Sequence, residues 1–190
     1  MRDKIKILFV CHGNICRSPM AEFVMKRLAA DAGLGSCFGI ASAATTTEEI
    51  WGRRGNPVYP PAKKTLAEHG IAGPEVDAKR ARLLVRDDYA YYDYLIGMDS
   101  ENLSDMKDIC GVSGTGRRAD YETPDSRTHS AAIVREDEKI SLLMDYTGRP
   151  RSVADPWYTG NFEATWNDVC EGCTALLQHL CRVYHLRAGS

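Results

Sequence analysis

A cysteine and an arginine enclose one short loop near the start of the chain. Cys11 and Arg17 are separated by five residues, and Gly13 and Asn14 lie between them. Glycine and asparagine accept the left-handed backbone that a tight turn requires. A thiolate is a nucleophile, and a guanidinium can bind two oxygens of a tetrahedral anion. The spacing therefore predicts a loop that surrounds one phosphate-like group, with Cys11 as the nucleophile for phosphoryl transfer.

The elements on either side of this first loop (residues 11–18) favour that interpretation. Residues 4–10 predict a buried strand, and Ser18 followed by Pro19 predicts the N-cap and first residue of a helix. A helix N-terminus presents free backbone N–H groups and a positive dipole, so it binds anions and favours a thiolate at Cys11. The alternative is a buried structural thiol beside a solvated arginine.

The rest of the chain alternates predicted strands with predicted helices. Further strands are predicted at 38–43, 94–98 and 140–144, helices at 61–69, 100–109 and 162–184, and loops at 44–58 and 154–158. This alternation predicts an open α/β fold with a parallel sheet, in which ligands bind at the carboxyl ends of the strands. Residues 111–138 predict a long polar insertion, which precedes the strand at 140 and is therefore expected at the opposite edge of the sheet, away from the first loop.

The composition favours one domain without a nucleic-acid-binding surface. A chain of 190 residues can bury a full core, so a single domain over 1–190 is predicted. The 24 Lys and Arg against 26 Asp and Glu give a net charge of −2, which argues against nucleic acid as a partner. The apolar stretch near the N-terminus is too short for a signal peptide or a membrane span, so we expect a cytoplasmic protein with no membrane partner.

Two motifs together resemble the low-molecular-weight protein tyrosine phosphatase family, in its bacterial type. VCHGNICRSP at 10–19 is similar to the family's first loop, and ADPWY at 154–158 is similar to its acid loop, where Asp-Pro precedes two aromatic residues. Segments that also resemble the family are SAATTTEEI, GNPVYPPA, AEHGI and DYLIGMD. The resemblance implies an open, mostly parallel four-stranded sheet with helices on both faces. It also implies an enzyme that needs no metal or cofactor and hydrolyses phosphotyrosine in proteins or peptides through a cysteinyl-phosphate.

The resemblance implies a role for each matching residue. Cys11 is the nucleophile, Arg17 binds the phosphoryl oxygens, and Asp155 protonates the leaving phenolate and then activates water. Ser42 and His69 match a polar network that supports the first loop. The other residues of the phosphate-binding loop are His12, Gly13, Asn14, Ile15, Cys16 and Ser18.

The walls of the substrate pocket are expected to come from two loops. Trp157 and Tyr158 follow the acid and either form a slot for a flat ring or pack in the core. Trp51 lies in the loop that contributes specificity in the family, but four residues that begin with it look inserted. Glu49, or else Glu48, is therefore an alternative wall residue.

Three further features allow more than one interpretation. Cys16 either forms a reversible disulfide with Cys11, as the resemblance implies, or is a small packing residue. His69 precedes a glycine, so it is also explained as the C-cap of a helix. Cys170 and Cys173 form a CxxC pair inside a predicted helix without a second pair, so we predict no zinc site.

Three other functions are possible for this sequence, and particular residues distinguish each of them from a tyrosine phosphatase. Arsenate reductases of this fold use two further cysteines in a mobile segment, where this chain has only Cys110. Protein-arginine phosphatases of this fold carry a small polar residue where this chain has Ile15, and an apolar side chain favours a phenyl ring. A phosphate-binding module without turnover would not need Cys11, Arg17 and Asp155 together. The sequence does not specify the oligomeric state or the physiological substrate.

Overall fold

The computed structural model describes residues 4–112 and 139–187. Its strands are β1 (Ile5–Cys11), β2 (Phe38–Ala44), β3 (Ile50–Trp51), β4 (Arg54–Gly55), β5 (Tyr94–Gly97) and β6 (Ile140–Leu142). Its helices are α1 (Arg17–Asp31), α2 (Pro60–Glu68), α3 (Pro74–Ala78), α4 (Arg86–Tyr91), α5 (Ser100–Cys110), α6 (Pro156–Thr159) and α7 (Phe162–Val183). Four strands form a parallel sheet in the order β2-β1-β5-β6, which confirms the predicted α/β fold.

The central strand β1 supplies side chains to two separate cores. Ile7 and Phe9 are buried on the face that α1 and α7 cover, and Leu8 and Val10 are buried on the face that α5 covers. Successive residues of a strand point to opposite faces, so a run of apolar residues is required where both faces are covered. Helices therefore lie on both faces of the sheet, as predicted. Within the described parts of the chain, no helix is long and apolar enough to cross a membrane.

The start of α1 differs from the prediction. Ser18 was expected as the N-cap, but α1 begins at Arg17 and Cys16 occupies the cap position. The Ser18 hydroxyl lies within hydrogen-bond distance of the Cys11 sulfur and accepts from the Asn14 amide, so it is not available to cap the helix. The prediction of Ser18 as N-cap is therefore wrong, because the first loop uses that hydroxyl.

Both predicted loops contain short regular elements. The segment 44–58 contains an antiparallel hairpin, β3–β4, which turns at Gly52 with a left-handed φ of +63°. At the base of this hairpin, an added Cβ on Gly55 would lie 1.8 Å from the Ala81 carbonyl oxygen, so only glycine fits. In the second loop, α6 begins at Pro156, and the Asp155 side chain accepts the Trp157 N–H as its N-cap.

The smallest elements escaped prediction. The helices α3 and α4 have five and six residues, which is too short for a helical periodicity to be recognised. The last strand ends at Leu142 rather than at 144, because a 3₁₀ helix over Leu143–Thr147 follows it. The Asp145 carboxylate accepts the Leu142 N–H there and fixes the change of direction.

The predicted insertion at 111–138 and its expected position lie outside the described residues, apart from its first two residues. The single domain over 1–190 likewise stays a prediction.

Candidate active site

The first loop connects the end of β1 to the start of α1, at the carboxyl edge of the sheet. Cys11 is the last residue of β1, and its sulfur lies 3.0 Å from the Ser18 hydroxyl oxygen. Asn14 takes the left-handed conformation that its residue type permits, with a φ of +56°. The Asn14 amide donates to Ser18 at 2.9 Å and to Ser42 at 2.8 Å, and its oxygen accepts the Arg82 N–H at 3.1 Å. All polar atoms of this buried amide are therefore used to hold the turn.

The network below the first loop continues to a buried carboxylate. The Ser42 hydroxyl donates to Glu22 at 2.6 Å, and Glu22 forms ion pairs with Lys79 at 3.0 Å and with Lys26 at 2.8 Å. Burial alone would raise the pKa of Glu22, but Lys79, Lys26 and the Ser42 hydrogen bond outweigh it, so its pKa is lowered. Glu22 is therefore an anion inside the fold.

This anion sets the direction of the hydrogen bonds that lead from it, through Ser42 and Asn14, to Ser18. An ionised carboxylate only accepts, so Ser42 donates its proton to Glu22 and accepts from the Asn14 amide. The second N–H of that amide occupies a lone pair of Ser18. The Ser18 proton is left for the Cys11 sulfur at 3.0 Å or the Ala43 carbonyl at 3.4 Å, and donated to the nearer sulfur it stabilises a thiolate.

Sequence reasoning missed both ends of this ion pair. Glu22 lies one turn after Ser18 on α1, so its position on the buried face was a usable signal. Lys79 follows α3 and also donates to the Ser42 carbonyl at 3.1 Å, but nothing in the local sequence distinguishes it from a surface lysine.

The structure does not place His69 in this network. His69 is the C-cap of α2, and its ring stacks on Trp166 with the ring centroids 4.0 Å apart. Its Nε2 lies 3.1 Å from both carboxylate oxygens of Glu163. The prediction of a network role for His69 is therefore wrong, because α7 rather than the first loop takes up the imidazole.

Arg17 connects the first loop to the acid loop (residues 154–158). Its guanidinium is buried and bonds to Asp99 through Nη1 at 2.5 Å and to Asp155 through Nη2 at 2.7 Å. Burial lowers the pKa of Arg17, but the negative charges of Cys11, Asp99 and Asp155 outweigh it, so the pKa is raised. Arg17 is therefore a permanent cation that faces the nucleophile and the candidate acid.

Asp99 is a further residue that the sequence did not single out. It caps α5 by accepting the Asn102 N–H at 2.8 Å and uses its other oxygen for Arg17. Its position just after β5, at the carboxyl end of a parallel strand, is the signal that would have pointed to it.

One cleft brings together the predicted catalytic residues. The cleft is lined by Cys11, His12, Gly13, Ile15, Cys16, Arg17, Glu48, Glu49, Asp155, Trp157 and Tyr158. Asn14, Ser18 and Ser42 lie beneath it and are buried.

Two of the three aromatic residues that were predicted as pocket walls line this cleft, and the third does not. Trp157 and Tyr158 line it and are 60% and 86% exposed, so the alternative that they pack in the core is wrong. Trp51 is 73% exposed on the hairpin and is not among the lining residues, because the hairpin places it in solvent. Glu48 and Glu49 line the cleft instead, and Glu48 bonds to His12 at 2.9 Å.

The second thiol of the first loop is held in its neutral form. Burial and the neighbouring Cys11 raise the pKa of Cys16, so Cys16 stays a neutral thiol. Both thiols are free in this structure. In residues 4–112 and 139–187, no three His, Cys, Asp or Glu side chains are grouped to hold a metal ion.

Comparison with known proteins shows the family of this chain. The family model for low molecular weight phosphotyrosine protein phosphatase matches residues 6–119. The chain belongs to this family. It is 34% identical over 175 residues to the low molecular weight protein-tyrosine-phosphatase YfkJ of Bacillus subtilis, covering 91% of this chain and 94% of YfkJ. The rat low molecular weight phosphotyrosine protein phosphatase is 31% identical, covering 90% of this chain and 93% of the rat enzyme.

Solved structures of the family share the fold over nearly the whole chain. The crystal structure of YfkJ matches with a TM-score of 0.74 at 33% identity, covering 96% of this chain and 98% of YfkJ. A Drosophila arginine phosphatase matches with a TM-score of 0.70 at 26% identity, covering 92% of this chain and 96% of its own. The predicted family and its fold are thus confirmed.

Proposed function

We propose that this chain is a protein tyrosine phosphatase, which hydrolyses phosphotyrosine in proteins or peptides through a cysteinyl-phosphate and without a metal ion. The observation that carries the proposal is the joint presence of Cys11, Arg17 and Asp155 in one cleft. Membership of the phosphatase family supports the same conclusion.

In the first step, the Cys11 thiolate attacks the phosphorus atom of the substrate. An S–P bond forms while the bond between phosphorus and the tyrosyl oxygen breaks, and Asp155 donates its proton to that oxygen. Arg17 and the N–H groups at the start of α1 stabilise the charge on the other phosphoryl oxygens. Since Arg17 binds Asp155 in the free enzyme, a bound phosphate competes for the same guanidinium and releases the carboxylate, which takes up a proton from the solvent before it acts as the acid.

In the second step, water replaces the thiol. The oxygen of the water molecule attacks the phosphorus while Asp155 accepts a proton from that water molecule, and the S–P bond breaks. Inorganic phosphate leaves, and the Ser18 hydroxyl stabilises the thiolate of Cys11 that is regenerated.

The lining of the cleft supports an aromatic leaving group. Ile15 offers an apolar side chain beside the nucleophile, and Trp157 and Tyr158 offer exposed rings at the opening. A phenyl ring gains contacts with these groups, whereas a charged guanidinium loses hydration beside Ile15. Tyrosine-phosphorylated proteins are accordingly the partners that we propose. A cytoplasmic location, without nucleic-acid or membrane partners, stays a prediction from composition.

Release of phosphate from a phosphotyrosine peptide tests the proposal, with a metal chelator present and a phosphoarginine peptide in parallel. We expect turnover of phosphotyrosine that the chelator does not change, with little release from phosphoarginine. Mass spectrometry of the rapidly quenched enzyme should show one phosphate on Cys11. Preference for phosphoarginine would contradict the substrate class, and an active reduced protein without phosphorylated Cys11 would contradict the mechanism.

A further inference from the structure

The residue before the candidate acid is held by α7 through both of its backbone polar groups. The Ala154 N–H donates to Asp168 Oδ2 at 2.8 Å, and the Thr165 hydroxyl donates to the Ala154 carbonyl at 2.8 Å. Thr165 and Asp168 are three residues apart on α7, so they lie on the same face of the helix. One rigid helix thus fixes the peptide units on both sides of Ala154.

The side chains and main chain around these two contacts are themselves buried or bonded. Thr165 is fully buried, and the other carboxylate oxygen of Asp168 bonds to Arg151 at 2.6 Å. One residue before Ala154, the buried Val153 donates its N–H to the Met98 carbonyl at the end of β5 at 2.8 Å. The main chain that leads to the acid is therefore bonded to both the sheet and α7.

The main chain after the acid forms the short helix α6, in which the Thr159 hydroxyl donates to the Asp155 carbonyl at 3.1 Å and the Trp157 ring lies 5.6 Å from that of Tyr59. Trp157 and Tyr158 are exposed, and within the described residues the Asp155 carboxylate has two polar contacts. One is the ion pair with Arg17, and the other is the hydrogen bond that it accepts from the Trp157 N–H. A substrate phosphate that binds Arg17 removes the first of these contacts. The position of Asp155 then depends on the main chain on its two sides, of which the Ala154 side is bonded to α7.

We propose that Thr165 and Asp168 are positioning residues for proton transfer by Asp155, acting through the main chain of Ala154. The inference rests on the proposed phosphatase function and adds to it the groups that aim the acid. Proton transfer needs the carboxyl within hydrogen-bond reach of the leaving oxygen, and a displacement of about 1 Å can slow a reaction by about 100-fold. Loss of either contact allows the acid loop such displacements, while the first loop stays in place.

The dependence of rate on the leaving group tests this role. Aryl phosphates include esters of acidic phenols such as dinitrophenol, which leave without a proton. They also include esters of phenols that are as weakly acidic as the side chain of tyrosine. For Thr165→Val, which keeps the shape and removes the hydroxyl, we expect kcat/KM to fall about tenfold on tyrosine-like esters. On the dinitrophenyl ester it should fall by less than about twofold, because that phenolate needs no acid. Asp168→Ala should behave in the same way. Asp155→Asn removes the acid itself and shows how large the dependence on the leaving group becomes without it.

Matched controls separate positioning from loss of packing. Thr174→Val changes an exposed threonine of the same helix, and Glu171→Ala removes a 2.8 Å contact of Arg151 without touching Ala154. Both should keep the leaving-group dependence of the unmodified enzyme. Thr165→Ser restores the hydroxyl and Asp168→Asn restores an acceptor for the Ala154 N–H, so both should recover activity on tyrosine-like esters.

The outcomes distinguish this role from the proposed function. Equal losses on all esters, or no loss in either variant while Asp155→Asn shows the full effect, would overturn the positioning role and leave the phosphatase intact. No turnover of any ester by the unmodified enzyme would overturn the proposed function and this role with it. If Thr165→Val does not fold, the pair Asp168→Ala and Asp168→Asn gives the same answer.

Discussion

The first loop and the acid loop meet at Arg17, but the fold supports them in different ways. Asn14 and Ser18 of the first loop are 1% and 0% exposed and belong to a hydrogen-bond network that ends at Glu22. In the acid loop, Trp157 and Tyr158 are exposed, and α7 bonds to both polar groups of the Ala154 main chain.

The difference matches what each half of the reaction requires. A nucleophile and its anion site gain from a fixed geometry, since preorganised donors need not reorient during the reaction. An acid has to release one partner and approach a leaving oxygen, so a main chain anchored next to an exposed segment suits it. The contrast therefore predicts that variants of the two loops differ in which substrates they affect.

The largest effect is expected for Cys11→Ser. The hydroxyl of serine is not ionised at neutral pH, so no phosphoenzyme forms and turnover is lost. Phosphate should still bind, because Arg17 and the backbone of the first loop remain. Isothermal titration with inorganic phosphate and a turnover assay measure the two properties, with Cys37→Ser as the control outside the cleft. Residual turnover by pure Cys11→Ser would show that the first loop does not supply the nucleophile.

The next effect is expected for Asp155→Asn. An amide cannot donate the proton, so kcat/KM on phosphotyrosine should fall by about 10²–10⁴-fold, the usual contribution of a general acid. The rate at which an ester of an acidic phenol phosphorylates Cys11 should change little. Asp87→Asn, on the exposed surface of α4, serves as the matched control. An equal loss on both esters would mean that the two loops do not divide the reaction as described.

Arg17→Lys is expected to affect both loops at once. Lysine keeps the charge but lacks the planar pair of N–H donors that binds two phosphoryl oxygens, so phosphoryl transfer should slow by about 10²–10³-fold on every ester. Steady-state kinetics over the same esters would show this uniform loss, with Arg27→Lys on the exposed part of α1 as the control. A loss confined to weakly acidic phenols would assign Arg17 to the acid loop only.

The smallest effect on turnover is expected for Glu22→Gln, whose main effect is on stability. Removal of one partner of a buried ion pair should lower the free energy of unfolding by about 3–5 kcal/mol. The pKa of Glu22 is lower in the folded protein than in the unfolded chain, so its stabilisation is present above the ordinary carboxyl range and disappears as the pH falls through the lowered pKa.

Denaturant unfolding at neutral and at acidic pH measures this difference. The gap between the unmodified protein and Glu22→Gln should be widest at neutral pH and should narrow in acid. Glu68→Gln on the exposed surface of α2 is the control and should show no gap. A gap that is constant with pH would mean that Glu22 is not ionised beneath the first loop.

Local chemistry made part of this site predictable from sequence. Cys11 and Arg17 belong to one loop, so their spacing alone indicates a shared anion. Asp99 reaches Arg17 from 82 residues away, and Lys79 meets Glu22 only after the chain has folded. Such pairings have no local pattern, and a lysine that ends in a buried ion pair has the same sequence neighbourhood as one in solvent.

The errors in the fold have the same origin. The sheet was predictable because β5 and the part of β1 from Ile7 onwards are apolar runs, and burial of both faces is what such runs indicate. The prediction for His69 followed a local likeness to the family and failed, since the stacking partner Trp166 lies on a distant helix. The N-cap at Ser18 failed because its hydroxyl bonds to groups that only the folded loop brings near.

The β3–β4 hairpin separates a fixed base from an unconstrained tip, and this makes it a site for protein engineering. At Gly55 even one added carbon would displace the Ala81 backbone, so the base accepts no substitution. At Gly52 an added Cβ meets nothing within 4 Å, although its left-handed φ favours glycine or asparagine. A reporter or recognition peptide grafted at this tip would extend into solvent next to the Glu48 side of the cleft. New substrate contacts could be selected there without altering the residues that perform the chemistry.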